Sequence, residues 1–134
     1  IETLNQIKIK SPERITDENI LFLSQSLLNV LLTTNNLIKR QEYAHAYQSL
    51  SNVQKYLLWL IRIVTNQTNH WESPTKSLET DIDKDWYSKF RLTTSDLDKE
   101  NLNIAFQNSL NLSKKLFDEL DIATDLKLLL NRIG

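Results

Sequence analysis

Glycine is almost missing from this chain of 134 residues: the single glycine is Gly134, the last residue, and there are two prolines. Tight β-hairpins, Rossmann turns and phosphate-binding loops all use glycine at backbone conformations that other residues resist. The scarcity of glycine therefore disfavours a hairpin-rich sheet and a nucleotide-cradling loop within these residues. The chain is expected to build its core from helices.

Apolar residues recur at helical spacing over three long segments. The first is expected to begin at Thr16, which two acids follow, and to end near Lys39. A short break at Gln41 and Glu42 then predicts an antiparallel hairpin with the second long helix. The third long helix is expected to begin at a cap formed by Thr94 or Ser95.

Shorter helices are expected between and after the long ones. Ser73 and Pro74 form a typical N-cap and first helical position for a short helix that ends near Asp81 or Asp83. Two more short segments have helical periodicity, DWYSKFRL and ATDLKLLLNRI. The predicted fold class is all-α, an up-and-down bundle of three long helices plus two or three short ones. It occupies residues 14–134 as one domain, after an extended lead-in or linker at residues 1–13.

The second long helix has two sides with apolar or aromatic side chains, so it is expected to be either central or shared with a partner. The broad core stripe is Tyr43, Ala46, Tyr47, Leu50, Val53, Leu57, Leu60, Ile61 and Val64. The narrower opposite stripe is His45, Asn52, Tyr56, Trp59 and Ile63. The loop after the helix brings His70 and Trp71, a histidine and a large aromatic residue suited to contact something else.

Charge and composition exclude several classes of function. With 16 basic and 17 acidic residues the net charge is -1, which gives no broad field for nucleic acid or an anionic membrane. The absence of cysteine excludes disulfides and thiolate chemistry, and two histidines disfavour a zinc site built by the protein. No apolar run is long enough to cross a bilayer. We therefore expect a cytoplasmic protein with no membrane or nucleic-acid partner.

The chain begins with Ile1 and contains no methionine. Because a natural reading frame starts with methionine, we expect a fragment or a domain of a longer protein.

Two short arrangements could carry chemistry, although both have ordinary structural interpretations. Asp81 and Asp83 have the spacing of a two-metal carboxylate pair, yet capping acids are the usual explanation of acids at a helix end. Arg40 and His45 have the Arg-x4-His spacing of the HEPN family of helical ribonucleases and toxin partners. Gln41 stands where that family has another polar residue after the arginine. A solvated arginine and a half-buried histidine are favoured by about four to one.

Several stretches in order resemble one family: RITDEN, KRQEYAHAYQSLSNVQKYLLWLIRI, NHWESPTKSLE, YSKF and TTSDLDKENLNIAFQNSLNL. Together they cover the chain from Arg14 to about Ile122. Over this range the chain resembles the C-terminal helical domain of lincosamide nucleotidyltransferases, the LinB-type antibiotic nucleotidyltransferase family.

The resemblance implies a helical domain that follows a small nucleotidyltransferase domain and walls off the pocket for the acceptor substrate. The family transfers AMP from ATP, with Mg²⁺, to a hydroxyl group of a lincosamide antibiotic. Its catalytic signature, a Gly-Ser turn followed by an Asp-x-Asp pair, has no match here. The resemblance therefore implies no catalytic residue and no bound cofactor in this segment, with ATP and Mg²⁺ belonging to the parent enzyme. The implied partners are the N-terminal domain, a second copy and a small-molecule antibiotic.

Aromatic walls with a few polar groups suit an amphipathic antibiotic built from a sugar and an amide. For each candidate residue, a packing role is nevertheless favoured over contact with a ligand by about two to one. The candidate substrate-binding residues are Tyr43, Tyr56, Trp59, Arg62, His70, Trp71, Lys76 and Tyr87.

Three functional hypotheses remain open on the sequence. The first is a substrate-binding and dimerisation domain of an antibiotic nucleotidyltransferase. The second is a stand-alone HEPN-like ribonuclease or toxin-antitoxin component that uses Arg40 and His45, and the third is a purely structural helical partner. Binding of lincomycin near Trp59 or Trp71 would favour the nucleotidyltransferase domain. Ribonuclease activity that is lost on His45→Ala would favour the HEPN-like protein. The absence of both would leave the structural partner.

Overall fold

The computed structural model describes residues 14–133, and all regular secondary structure in that range is helical. The helices are α1 Asp17–Lys39, α2 Tyr43–Val64, α3 Leu78–Asp81, α4 Lys84–Arg91, α5 Lys99–Glu119 and α6 Thr124–Arg132. The predicted all-α bundle of three long and several short helices is confirmed. The lead-in predicted for residues 1–13 lies outside the described residues.

Helices α1 and α2 form the predicted antiparallel hairpin. The Thr16 hydroxyl accepts the N–H of Asn19 at 3.1 Å and caps α1, which ends at Lys39 as expected. Farther along, the buried hydroxyls of Thr34 and Ser49 lie 2.7 Å apart. These two residues are equally far along the chain from the turn between α1 and α2, so the helices run side by side in opposite directions.

The core lies where α1, α2 and α5 meet, and α6 packs against α1 and α5. Its fully buried centre includes Leu27, Leu31, Leu57, Leu116 and Phe117. No helix within residues 14–133 has both the length and the hydropathy needed to cross a membrane.

The predicted stripes of α2 are partly wrong. Most of the core stripe is buried, but the Tyr47 side chain is 47% exposed. Tyr47 lies about 60° around the helix from buried Leu50, because each residue advances the helix by about 100°. It is therefore at the edge of the stripe. On the opposite stripe, His45 and Asn52 are exposed.

The start of α5 was predicted at the wrong residue. The N-cap of α5 is Asp98. One carboxylate oxygen of Asp98 accepts the backbone N–H of Asn101 at 2.8 Å, and the other accepts the side-chain amide of Asn101 at 2.6 Å. The hydroxyls of Thr94 and Ser95 instead donate to the carbonyls of Arg91 and Asp96. Because α5 begins at Lys99, the N-cap position is Asp98, and its carboxylate accepts the N–H of the third residue of the helix.

All three long helices end in the same turn, although none has glycine there. Gln41, Asn66 and Asp121 follow α1, α2 and α5 with φ of 63°, 56° and 53°. In each case the N–H of the next residue bonds to the carbonyl five residues earlier, at 2.9, 2.8 and 3.0 Å. This is the Schellman motif, whose left-handed position usually holds glycine.

Replacing Gln41 with glycine is expected to stabilise the protein by about 0.5–1 kcal/mol, because glycine removes the strain of the left-handed conformation. Urea unfolding measures the change. Gln48→Gly is the matched control, since Gln48 is exposed inside α2, where glycine costs about 1 kcal/mol. A loss of stability in both variants would contradict the strain at Gln41.

Candidate functional site

One buried arginine fastens the segment between α2 and α4 to the end of α2. Arg62 is 0% exposed. Its guanidinium donates to the carbonyls of Gln67 (2.9 Å), Pro74 (2.9 and 2.8 Å) and Lys76 (3.0 Å), and to Asp81 Oδ2 (2.9 Å). These bonds use all five N–H groups of a guanidinium. Arg62, a predicted substrate contact, therefore has no donor left for a ligand.

The same contacts correct the prediction of a helix that begins at Pro74. In such a helix the carbonyls of Pro74 and Lys76 would accept N–H groups four residues later. Both carbonyls instead accept from Arg62. The chain makes successive turns up to Ser77, which is left-handed with φ of 55°, and α3 begins only at Leu78.

Asp81 links Arg62 to a histidine. Its Oδ2 atom lies 2.9 Å from Arg62 Nη1 and 2.6 Å from His70 Nδ1. The hydrogen bonds from His70 and then Arg62, with the positive charges of both groups, lower the pKa of Asp81 from its ordinary value of 3.8. Because an ionised carboxylate only accepts, Nδ1 of His70 is the donor. The other ring nitrogen, Nε2, is the atom of His70 that can form a hydrogen bond with a ligand hydroxyl.

The lowered pKa of Asp81 makes part of the stability depend on pH. A carboxyl group whose pKa is lower in the folded state stabilises the fold above its unfolded pKa, and this contribution disappears as pH falls through the folded pKa. We expect Asp81→Asn to destabilise the protein at about pH 7 and the difference from wild type to shrink below about pH 4. Urea unfolding at several pH values measures it, with exposed Asp96→Asn as the control. A difference that stays constant down to about pH 2 would contradict the ion pair.

Three half-buried aromatic residues, Tyr56, Trp59 and Trp71, lie in contact beside this anchor, and we call them the aromatic cluster. The rings of Trp59 and Trp71 are stacked, with centroids 5.8 Å apart and an interplanar angle of 24°. The ring of Tyr56 meets Trp59 edge-on at 5.6 Å. Trp59 Nε1 also donates to the carbonyl of Trp71 at 2.8 Å, so a backbone contact fixes the loop against α2.

Two cations border the aromatic cluster. Lys55 Nζ lies 5.4 Å from the ring centroid of Trp59 and 6.0 Å from that of Tyr56. The guanidinium carbon of Arg14 lies 5.5 Å from the ring centroid of Trp71. Aromatic faces with a few polar groups around them can pack against the apolar side of a ligand and hydrogen-bond its polar groups.

The structure brings some of the predicted site residues together and separates others. Tyr56, Trp59 and Trp71 form one cluster, and His70 directly precedes Trp71. The side chain of Lys76 is exposed, and Tyr87 is half-buried on α4 with its hydroxyl 3.4 Å from Glu79 Oε2. Tyr43 begins α2, about 28 Å along the helix axis from Arg62 at 1.5 Å per residue. Tyr43 is therefore not part of this group.

Sequence reasoning missed the roles of Asp81, Lys55 and Arg14. Asp81 was considered as a metal ligand or a capping acid, and its pairing with Arg62 depends on a contact between residues 19 positions apart. For Lys55 the one available signal was its position next to Tyr56 in the sequence, and a basic residue beside an aromatic one is common on any protein surface. Arg14 is far from Trp71 in the sequence, so no such signal marked it.

The carboxylate pair of Asp81 and Asp83 does not form a metal site in this structure. Asp81 is engaged by Arg62 and His70, and Asp83 caps α4 by accepting the N–H of Trp86 at 3.0 Å. Within residues 14–133 no group of three potential ligands among His, Cys, Asp and Glu could hold a metal ion. These residues do not fit an ATP–Mg²⁺ site.

The Arg40 and His45 pair has an ordinary environment in this fold. Arg40 Nε lies 2.7 Å from Glu42 Oε2 in an exposed salt bridge. His45 is exposed in the first turn of α2, rather than half-buried as the structural interpretation expected. Nothing in this geometry selects the two residues for catalysis.

The chain matches a known protein family. A family model described as lincosamide nucleotidyltransferase-like, C-terminal domain, matches residues 16–133. The match includes all six helices, and it confirms the resemblance found in the sequence. A search of curated proteins returned no match.

Proposed function

Because this chain belongs to the lincosamide nucleotidyltransferase-like C-terminal domain family, we propose that it recognises the acceptor substrate of an antibiotic nucleotidyltransferase. The enzyme would transfer AMP from ATP to a hydroxyl group of a lincosamide-like antibiotic. A nucleotidyltransferase domain outside residues 14–133 supplies the catalytic groups and binds ATP and Mg²⁺. The helical chain supplies part of the acceptor pocket and a contact with a second copy.

The observation that carries the proposal is the aromatic cluster of Tyr56, Trp59 and Trp71. Its rings are only half-buried, so they retain faces that a ligand can cover. A lincosamide combines an apolar amide portion with a sugar that carries several hydroxyls. The rings suit the first, and Nε2 of His70 can form a hydrogen bond with the second.

The rigidity of the loop also supports a recognition role. Trp71 is held to α2 through its carbonyl by Trp59, and the following turns are held by Arg62. A preformed wall binds a ligand without first losing the conformational entropy of a mobile loop. Arg62 therefore serves recognition indirectly, as a positioning residue.

The proposal assigns the catalytic groups to the other domain. The two carboxylates with suitable spacing, Asp81 and Asp83, are occupied by an ion pair and a helix cap. In the proposal, catalytic carboxylates that bind Mg²⁺ belong to the other domain, as is usual for nucleotidyl transfer.

Titration of lincomycin and clindamycin into the protein expressed from its complete reading frame tests the proposal. We expect saturable quenching of tryptophan fluorescence and transfer of AMP to the antibiotic when ATP and Mg²⁺ are added. The sequence upstream of Ile1 is expected to encode a Gly-Ser turn and an Asp-x-Asp pair. No binding of either antibiotic and no transfer to either would contradict a lincosamide-like acceptor.

A further inference from the structure

Two positively charged side chains at the aromatic cluster have no negatively charged partner among the described residues. Lys55 Nζ lies over two rings of the cluster, and the guanidinium of Arg14 lies over the third. None of the ion pairs within residues 14–133 includes either side chain, and neither donates a hydrogen bond to a described residue. The three N–H donors of the ammonium and the five of the guanidinium are therefore available to a ligand.

Trp86 provides a comparison, since two lysines lie near its ring as well. Lys89 and Lys115 place Nζ 5.9 and 5.4 Å from the ring centroid of Trp86. Each of these lysines has a carboxylate partner, Asp85 at 2.8 Å and Glu119 at 3.7 Å. Among the described cations that contact a ring, those at the aromatic cluster are therefore the unpaired ones.

The acidic residues nearest in sequence do not neutralise these cations. Asp17 and Glu18 are exposed in the first turn of α1, where the positive end of the helix dipole stabilises them. Glu72, next to Trp71 in the sequence, is also exposed, and no described cation forms an ion pair with it. The charges in contact with the three rings are therefore positive, which suits a ligand that carries a negative charge.

We propose that Lys55 and Arg14 bind a phosphoryl group carried by the acceptor, so that the aromatic cluster retains the nucleotidylated product. The inference rests on the proposed function and deepens it. Transfer of AMP replaces the proton of an acceptor hydroxyl with a phosphodiester and releases pyrophosphate from ATP. The acceptor gains one negative charge, because each phosphodiester group carries one. Arginine binds phosphate oxygens through paired N–H donors, and lysine binds them as a point charge.

The fold holds both cations beside the rings. Lys55 belongs to α2, and its Nζ atom lies 5.4 Å from the ring centroid of Trp59. Arg14 precedes α1, and its carbonyl accepts the side-chain amide of Asn19 at 2.6 Å. This bond fixes the backbone of Arg14 against α1 while the guanidinium lies 5.5 Å from the ring centroid of Trp71. A phosphoryl group on an acceptor that packs against the rings is therefore met by side chains already placed there, which reduces the entropy lost on binding.

Clindamycin and clindamycin 2-phosphate test the inference, because they differ by one phosphate group on the sugar. This group is at least as negative as the phosphodiester of the product. Calorimetry of the protein expressed from its complete reading frame, without ATP, gives both affinities. We expect the phosphate ester to bind at least about fivefold more tightly than clindamycin at about 0.05 M NaCl, the effect of a good exposed ion pair. The advantage should shrink at about 0.5 M NaCl, because salt screens exposed charges.

Lys55→Gln and Arg14→Gln test the location of the phosphoryl contact. Each is expected to reduce the affinity advantage of the phosphate ester by about three- to fivefold, and the double variant to abolish it. Glutamine is a good helix former, so α2 is expected to stay intact in Lys55→Gln. Lys114→Gln is the matched control, since Lys114 is exposed on α5 and the substitution removes the same charge far from the rings. The control is expected to keep the wild-type advantage.

Equal affinity of wild type for the two ligands would overturn the inference and leave the proposed function standing. An advantage that Lys55→Gln and Arg14→Gln leave unchanged, or that Lys114→Gln reduces equally, would do the same. Failure of wild type to bind either ligand would overturn both.

ATP is a second source of a phosphoryl group, so its affinity is measured with the same variants. A loss of ATP affinity with no change for the phosphate ester would assign the two cations to the nucleotide and overturn retention of the product. A reduced advantage of the phosphate ester, with ATP affinity as in wild type, supports it.

Discussion

Replacing Arg62 with alanine is expected to reduce the free energy of unfolding by about 3–5 kcal/mol, the range for removing one partner of a buried ion pair. Arg62 is completely buried and donates five hydrogen bonds to carbonyl groups and to Asp81. Alanine removes every donor at once. The carbonyls of Gln67, Pro74 and Lys76 then have to find water or leave the position they occupy, and each unsatisfied buried group is costly.

Arg40→Ala is the matched control for this prediction. Arg40 forms a salt bridge with Glu42, but its side chain is 64% exposed. Exposed pairs contribute about 0–1 kcal/mol, so the control should unfold at nearly the wild-type urea concentration. If Arg62→Ala and Arg40→Ala have equally small effects, Arg62 does not fasten the loop as described. Arg62→Lys should remain well below wild type, because one ammonium cannot reproduce the planar set of five donors.

The Arg62 contacts also explain why sequence patterns identified α1 and α2 better than the segment between α2 and α4. Apolar residues at helical spacing located both long helices, and the Thr16 cap fixed one end. The segment after α2 is instead organised by carbonyl oxygens that accept from Arg62. Every residue has a carbonyl, so no residue type marks these acceptors. Ser73 and Pro74 therefore predicted a helix start that the arginine prevents.

The left-handed turns at the ends of the long helices were hidden for a different reason. Glycine is the usual signal for a left-handed residue after a helix, and this chain has its single glycine at position 134. Gln41, Asn66 and Asp121 adopt the conformation without it. The apolar patterns located breaks between the helices, the one at Gln41 and Glu42 among them, but they could not show the left-handed turn.

The candidate site was predictable as a region but not as an arrangement. Trp59 and Trp71 were singled out as large aromatics on the second stripe and in the loop, and they lie stacked together. The sequence could not show that backbone carbonyls and Asp81 would use all the donors of Arg62, or that Asp81 would also bond to His70. That distinction depends on which atoms meet in the folded chain.

Replacing Trp71 with alanine is expected to weaken the binding of lincomycin by about 10–30-fold, which corresponds to about 1.5–2 kcal/mol for an aromatic anchor. The ring of Trp71 is half-buried and stacks on Trp59, so it is the ring that a ligand can reach from the loop side. The loop should keep its position, because Trp59 donates to the backbone carbonyl of residue 71 and Arg62 holds the following turns. Calorimetry gives the affinity without relying on tryptophan emission.

Trp86→Phe separates the loss of a ligand contact from the loss of any tryptophan. Trp86 lies in the core on α4 with 9% of its surface exposed, outside the aromatic cluster, and phenylalanine keeps most of its apolar contacts. The control should bind lincomycin with wild-type affinity even if its stability falls. Equal weakening in Trp71→Ala and Trp86→Phe would mean that binding follows stability, and unchanged affinity in Trp71→Ala would remove the aromatic cluster from the acceptor site. Weakening in Trp71→Ala alone, with an unfolding transition like that of wild type, would identify this ring as part of the acceptor wall, because its removal leaves the Arg62 anchor intact.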